Sequence, residues 1–183
     1  PGNSVLVLGS GLAGILHINL ARALGAGRII ATDMVDYRLD AARRLGADEA
    51  ISGMEDVPAR LRQINDGRLA DLVIVCTGAP PALRQALQSV DRGGTVLFFA
   101  PTEPGVSVPV SINDVFFRND ITLTTTYAGS PADIAMALEL IGSGRVSVGE
   151  MITHRLGLAE VALGFRLTAE AQTSLKVIMQ PQR

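Results

Sequence analysis

The sequence predicts an α/β fold, a doubly wound parallel sheet with strand order 3-2-1-4-5-6, and three observations carry that prediction. Short apolar runs without period-two alternation, Val5-Leu6-Val7-Leu8 and Leu72-Val73-Ile74-Val75 above all, read as strands covered on both faces. Amphipathic stretches at helical spacing stand between them, joined by short loops marked with glycine or proline, the alternation that right-handed crossovers produce. The first strand also runs straight into Gly9-Ser10-Gly11-Leu12-Ala13-Gly14, after which a helix opens at once.

That glycine turn has the spacing G-x-G-x-x-G, and each glycine has a separate reason. Gly9 allows the tight turn, Gly11 lets the backbone approach a pyrophosphate, and Gly14 lets the new helix pack closely on the strand. The N–H groups of Leu12 and Ala13 fall at the positive end of the helix, where an anion is stabilised. A second strand, Arg28-Ile29-Ile30-Ala31-Thr32, ends at Asp33, where a carboxylate accepts hydrogen bonds from an adenosine ribose. Glycines alone are a weak signal and fit a ligand-free turn. Strand, glycines, helix, strand and acid in register predict a dinucleotide site.

Taken in order, Leu12 to Leu24 reads as a helix with Leu16, Leu20 and Ala23 on one side, stopped by Gly25. Strand two is followed by Val35, Leu39, Ala42 and Leu45 at helical spacing, with Gly46 as the stop. Ala50-Ile51 is a short strand, and Val57-Pro58 opens a weaker helix with proline in its first turn. Asp71 to Cys76 is the next strand, ending at Thr77-Gly78. Pro80-Pro81 then begin a helix carrying Leu83, Ala86, Leu87 and Val90. Gly93-Gly94 turn into a strand from Thr95 to Phe99. Beyond Ala100-Pro101, Val106 to Val110 is extended, and Ile121 to Tyr127 is a threonine-rich strand without charge or proline. Ser130-Pro131 start a helix with Ile134, Leu138 and Ile141. After it come Met151 to Arg155, a helix from Leu158 to Ala169, and a last strand from Leu175 to Met179, which leave the earlier rhythm.

Composition narrows the function classes. The chain has 183 residues, 48% hydrophobic and 19% charged, with net charge −2, so a disordered or nucleic-acid-binding protein is not indicated. Its basic residues are arginines, apart from Lys176, and they are scattered. One cysteine, Cys76, excludes an internal disulfide framework. No run is long enough for a membrane span and no signal peptide is visible, so the expected compartment is cytoplasmic. The chain opens on Pro1 rather than Met, which suggests a piece of a longer protein.

At this point the sequence resembles the cofactor-binding half of medium-chain, zinc-dependent alcohol dehydrogenases, especially their sorbitol- and threonine-dehydrogenase-like members. The resemblance covers nearly the whole chain. It is carried by the glycine turn, by Ala26-Gly27-Arg28-Ile29-Ile30-Ala31-Thr32-Asp33 with Arg38-Leu39, and by Leu45-Gly46-Ala47-Asp48. Val75-Cys76-Thr77-Gly78-Ala79, Gly93-Gly94, Thr125-Thr126-Tyr127-Ala128-Gly129, Ile152-Thr153-His154-Arg155 and Leu175-Lys176-Val177-Ile178 extend it. The resemblance implies a Rossmann domain over residues 1–128 that binds NAD, and a segment 129–183 that belongs with a catalytic domain. It implies that Asp33 holds the ribose hydroxyls, that Arg38 lies over the adenosine end, and that Cys76, Thr77 and Gly78 border the cofactor. By the same resemblance, backbone groups around Phe99, Ala100 and Pro101 and near Thr126 and Tyr127 are expected to meet the nicotinamide, and Lys176 to reach the pyrophosphate. Dimers that pair the sixth strand with its copy also follow from the resemblance; in a single chain, Val106 to Val110 folding back over that edge is the alternative.

The resemblance also marks a departure. The family's zinc ligands lie in an N-terminal catalytic domain, and one cysteine with two distant histidines, His17 and His154, does not make a typical zinc site. Zinc is therefore expected only in a missing catalytic domain, with no metal ligand and no catalytic residue in this chain. The expected parent reaction is hydride transfer from a zinc-bound alcohol to the nicotinamide, and the chain alone is expected to be inactive. Single residues have plainer readings: His17 as a solvated helix side chain, His154 as structural, Cys76 as packing. Two rival functions stand beside this one, a non-enzymatic NAD-sensing module and an S-adenosylmethionine-dependent methyltransferase, whose ligand also rests on a glycine-rich first turn.

Overall fold

A computed structural model describes residues 1–182; residue 183, the last of the segment 129–183, lies outside the described residues. The chain forms two compact units, Pro1–Ser130 and a second beginning at Pro131.

The first unit is a six-stranded sheet built from β1 (Ser4–Leu8), β2 (Arg28–Asp33), β3 (Glu49–Ser52), β4 (Ala70–Val75), β5 (Val90–Phe98) and β6 (Thr122–Thr125). Its order is β3-β2-β1-β4-β5-β6 and every pairing is parallel, as the sequence predicts. Crossovers are made by α1 (Leu12–Ala23), α2 (Asp36–Arg44), α3 (Val57–Ile64) and α4 (Pro80–Ser89). The central strand β1 is buried along its whole length, and Leu6, Leu8, Ile30, Val73 and Val75 are fully enclosed. Each such side chain contributes roughly 1.5–3 kcal/mol over leaving it in water. α3 begins where Asp56 accepts the Ala59 N–H at 3.0 Å with Pro58 in the first turn.

Three local readings are corrected, and one turn is new. The face of α1 turned to the sheet carries Gly14, Ile15 and Ile18, whereas Leu16 and Leu20 remain 37% exposed. Leu16 lies one residue on from Ile15, about 100° around the helix, and Leu20 two on from Ile18, so helical spacing (i, i+3 or i, i+4) ran along both faces and spacing alone did not choose between them. β5 starts at Val90, before the glycines, because Gly93 takes φ +71° and the register with β4 shifts between Ala70 and Leu72. β6 keeps only Thr122–Thr125 of the seven residues expected; Val106 to Val110, read as extended, joins no sheet, and Val106 and Val108 pack on the core. A π-helical turn, Asn113–Phe117, was not foreseen.

The second unit contains α5 (Pro131–Gly142), β7 (Ile152–Leu156), α6 (Val161–Glu170) and β8 (Lys176–Met179). β7 and β8 pair in parallel, so alternation persists here in a separate two-stranded sheet. Gly164 of α6 fits against it: a Cβ there would lie 3.2 Å from Met179 Sδ and 3.5 Å from Val177 Cγ1. α5 buries none of its side chains.

A candidate dinucleotide site at the carboxyl ends of the strands

The strand order reverses at β1, whose two neighbours are β2 and β4, and ligands of open α/β sheets lie in the crevice such a reversal leaves. The ladder holds up to the turn itself: Gly9 N–H donates to Thr32 O at 3.0 Å and Cys76 N–H to Leu8 O at 2.8 Å. Gly9 sits at φ +93°, left-handed backbone that favours glycine, and a Cβ there would press on Cys76 and Thr77 at 3.3 Å. At Gly14 a Cβ would fall 1.9 Å from Gly9 O, so helix and strand approach as closely as they do only because the side chain is missing. Gly11 differs: a Cβ there would meet nothing nearer than the Arg38 guanidinium tip at 3.8 Å. The space over Gly11 is open, and Gly11 is the N-cap of α1, with no side-chain cap and no acid in the first turn. An anion fits that arrangement.

Asp33 closes the adjoining strand and is buried. Its Oδ1 accepts N–H bonds from Met34 at 2.8 Å and Val35 at 3.0 Å, while Oδ2 accepts from Ser10 at 2.8 Å. Ser10, fully buried, donates its hydroxyl to Thr32 O at 3.0 Å. Sequence reasoning passed over Ser10 because it is one of the variable positions of the glycine motif. Arg38 reaches over from α2, with Nη1 3.8 Å from Asp33 Oδ2, and its Nε is buried without a hydrogen-bond partner. That orphaned donor sits where the adenosine end of a dinucleotide is expected, which is the fit the residues offer. Met34, next to Asp33 in the chain, is exposed, and the motif did not flag it.

On the other side of the switch point, Gly78 brings the ends of β4 and β5 together: a Cβ there would lie 2.4 Å from Pro101 O. Phe99 and Ala100 both donate their N–H to Val75 O, at 3.1 and 3.0 Å, which turns the chain out of the sheet after β5. A pocket of about 430 Å³ opens there. Phe99, Ala100, Pro101, Thr126 and Tyr127 line it, with Leu83, Phe98, Thr102 and Thr125. Thus the glycine turn, Asp33 and Arg38 form one cluster and the residues after β5 and β6 another, all on the carboxyl edge of one sheet.

Residues 13–143 match the family model described as zinc-binding dehydrogenase. The chain belongs to that family. An L-threonine 3-dehydrogenase of Bacillus licheniformis is 32% identical over 98% of the chain and 52% of its own length. A sorbitol dehydrogenase of Bacillus subtilis is 29% identical over the full chain and 52% of its own length. Among solved structures, the alcohol dehydrogenase TADH of Thermus sp. ATN1 superposes with a TM-score of 0.87 at 32% identity, covering 97% of this chain and 50% of that one. The chain spans about half the length of the curated relatives it matches.

Three remaining residues of this dehydrogenase-family chain have distinct surroundings. Lys176 opens β8 in the second unit and is exposed there. Cys76 is largely enclosed, and burial pushes its thiol up to about 12, which keeps it protonated and unreactive at neutral pH. His17 is not the solvated side chain that sequence suggested. It lines a second, apolar cleft of about 250 Å³ with Leu12, Ala13, Leu16, Leu20 and Phe99. Burial lowers its pKa, against a smaller upward push from its bond to the Ala13 carbonyl. Among the described residues, no group of three or more His, Cys, Asp or Glu side chains is gathered as a metal site requires. Among them too, no helix is long and apolar enough to cross a membrane.

Proposed function

We propose that this chain is the NAD(H)-binding part of an alcohol or polyol dehydrogenase. One observation carries the reading: the buried Asp33 carboxylate ends β2 beside an uncapped helix N-terminus whose approach over Gly11 is open. Asp33 would hold the ribose hydroxyls, the Leu12 and Ala13 N–H groups the pyrophosphate, and Arg38 the adenosine face, with Cys76, Thr77 and Gly78 along the border. Phe99, Ala100, Pro101, Thr126 and Tyr127 would surround the nicotinamide. When bound, the nicotinamide supplies the hydride acceptor; this chain's residues orient it and keep water from its inner face.

The zinc, the proton-handling groups and most of the alcohol pocket belong, on this reading, to a catalytic domain outside the chain. Relatives about twice as long support that, as do apolar side chains left bare within each unit: Leu16 and Leu20 on α1, and Ile134 and Leu138 on α5. The remaining half is the occupant proposed for them. Calorimetric titration tests the reading. NAD⁺ is expected to bind, with NADP⁺ at least about tenfold weaker because a charge-assisted hydrogen bond is lost, and S-adenosylmethionine not at all. Equal affinity for NAD⁺ and NADP⁺ would sink it. The isolated chain is expected to oxidise no alcohol and to hold no stoichiometric zinc; elemental analysis and an alcohol panel decide between this and a self-sufficient enzyme.

Self-association through β6 completes the proposal. β6 is the last strand of the sheet, and its outer edge is uncharged and free of proline. A two-fold copy pairing with it in antiparallel fashion would satisfy the open row of N–H and C=O groups. Light scattering should find a dimer, and Thr124→Lys, which charges the edge, should return a monomer.

A further inference from the structure

We infer that His17 is a positioning residue for the nicotinamide end of the dinucleotide site, anchored on the Ala13 carbonyl and holding Phe99 in its working position. The inference rests on the dinucleotide reading above. It comes from what one imidazole touches. His17 Nδ1 lies 2.8 Å from Ala13 O, an atom that only accepts, so Nδ1 carries the proton and Nε2 the lone pair. Cys76 Sγ stands 3.5 Å from the same nitrogen and therefore faces its N–H as a weak acceptor. The ring meets Phe99 at a centroid distance of 4.5 Å and an interplanar angle of 75°, an edge-to-face contact. One side chain thus joins the turn after β1, the residue after β4 and the residue after β5.

Phe99 lies in the wall of both cavities, the apolar cleft on α1 and the larger pocket that ends at Tyr127. Phe99 is the residue the two linings share, and His17 meets its ring from α1. The Asp33 and Arg38 cluster, by contrast, makes none of these contacts, so His17 acts on one end of the site only.

The arrangement needs a neutral imidazole. The titratable group facing it from β4 is the Cys76 thiol, which stays uncharged; Phe99 faces it from β5, and Leu12, Leu16 and Leu20 complete the cleft. Arg38 is the cation at the same turn, reaching Gly11 from α2. No carboxylate is among these neighbours to stabilise an imidazolium. Protonation would place an unpaired charge in an apolar cleft, a desolvation cost that disfavours this seating of the ring against Phe99.

NAD⁺ and ADP-ribose separate the two ends of the site, because ADP-ribose lacks only the nicotinamide. His17→Leu should weaken NAD⁺ about three- to tenfold, the range expected when an edge-to-face pair is lost, and leave ADP-ribose within about twofold. His17→Asn, whose amide nitrogen takes the place of Nδ1 and does not titrate, should recover part of that loss. In the unaltered chain, NAD⁺ affinity should fall relative to ADP-ribose between pH 8 and pH 5, and in His17→Asn that relative fall should vanish. Equal losses for both ligands, or a pH profile that survives in His17→Asn, would overturn the proposal. If His17→Leu does not fold, NMR titration of His17 in the unaltered chain decides instead: its pKa should move with NAD⁺ and not with ADP-ribose, and identical shifts would count against it. Failure of both ligands to bind the unaltered chain would instead remove the dinucleotide reading itself.

Discussion

Asp33 Oδ2 accepts the backbone N–H of Ser10 at 2.8 Å, so the acid that ends β2 also holds the glycine turn that ends β1. With Met34 and Val35 donating to Oδ1, the carboxylate is an organiser of the turn before any ligand arrives. Asp33→Ala should therefore cost stability as well as affinity. Leaving the buried Ser10 N–H without an acceptor costs about 1–3 kcal/mol. Urea unfolding should show a lower midpoint with unchanged slope, and calorimetry a smaller preference for NAD⁺ over NADP⁺.

Gly11 and Gly14 should separate on substitution by alanine. Gly14→Ala puts a methyl 1.9 Å from Gly9 O, a backbone atom, so helix and strand must part and the thermal midpoint should drop sharply. Gly11→Ala meets only the end of the flexible Arg38 side chain at 3.8 Å and should melt within a few degrees of the parent. Its methyl nevertheless occupies the approach to the first turn of α1, and dinucleotide affinity should fall at least about tenfold if the lost contacts are charge-assisted. A stable Gly14→Ala chain, or a Gly11→Ala chain with undiminished affinity, would refute this division.

At the amino end of the sheet, Asp71 Oδ2 accepts from both the N–H and the hydroxyl of Ser4, at 2.8 and 2.9 Å, and Arg68 lies 2.7 Å from Oδ1. Burial pushes the Asp71 pKa up, but the Ser4 bonds and Arg68 together outweigh it, leaving the carboxyl below its ordinary 3.8. The unfolded chain then binds the proton more readily, so this stabilisation is complete above the ordinary carboxylate range and is lost as pH falls through the folded pKa. Urea midpoints measured from pH 6 to pH 2.5 should fall more steeply in the parent than in Asp71→Asn, which has no charge to lose. Parallel acid limbs would rule the contribution out.

Ser89 is fully buried at the end of α4 and its hydroxyl has no hydrogen-bond partner. Removing an unpaired buried hydroxyl relieves a desolvation cost of about 1–3 kcal/mol. Ser89→Ala should be neutral to stabilising in thermal melts, with cofactor affinity unchanged; a clear loss of stability would show that the hydroxyl has a partner.

The sequence by itself determined the sheet order, the identity of all six strands in the first unit, and the glycine turn facing Asp33. These follow from signals confined to short segments: doubly covered strands read as unbroken apolar runs, and turn glycines stand at spacings set by backbone geometry. Only the tertiary structure decided which face of α1 is buried, because Leu16 and Ile15 offer the same period and the sheet, not the helix, selects between them. It also decided that His17 meets Cys76 and Phe99, residues brought to it from the ends of β4 and β5. Such contacts arise from the parallel register of neighbouring strands, which places their carboxyl ends side by side however far apart they lie along the chain.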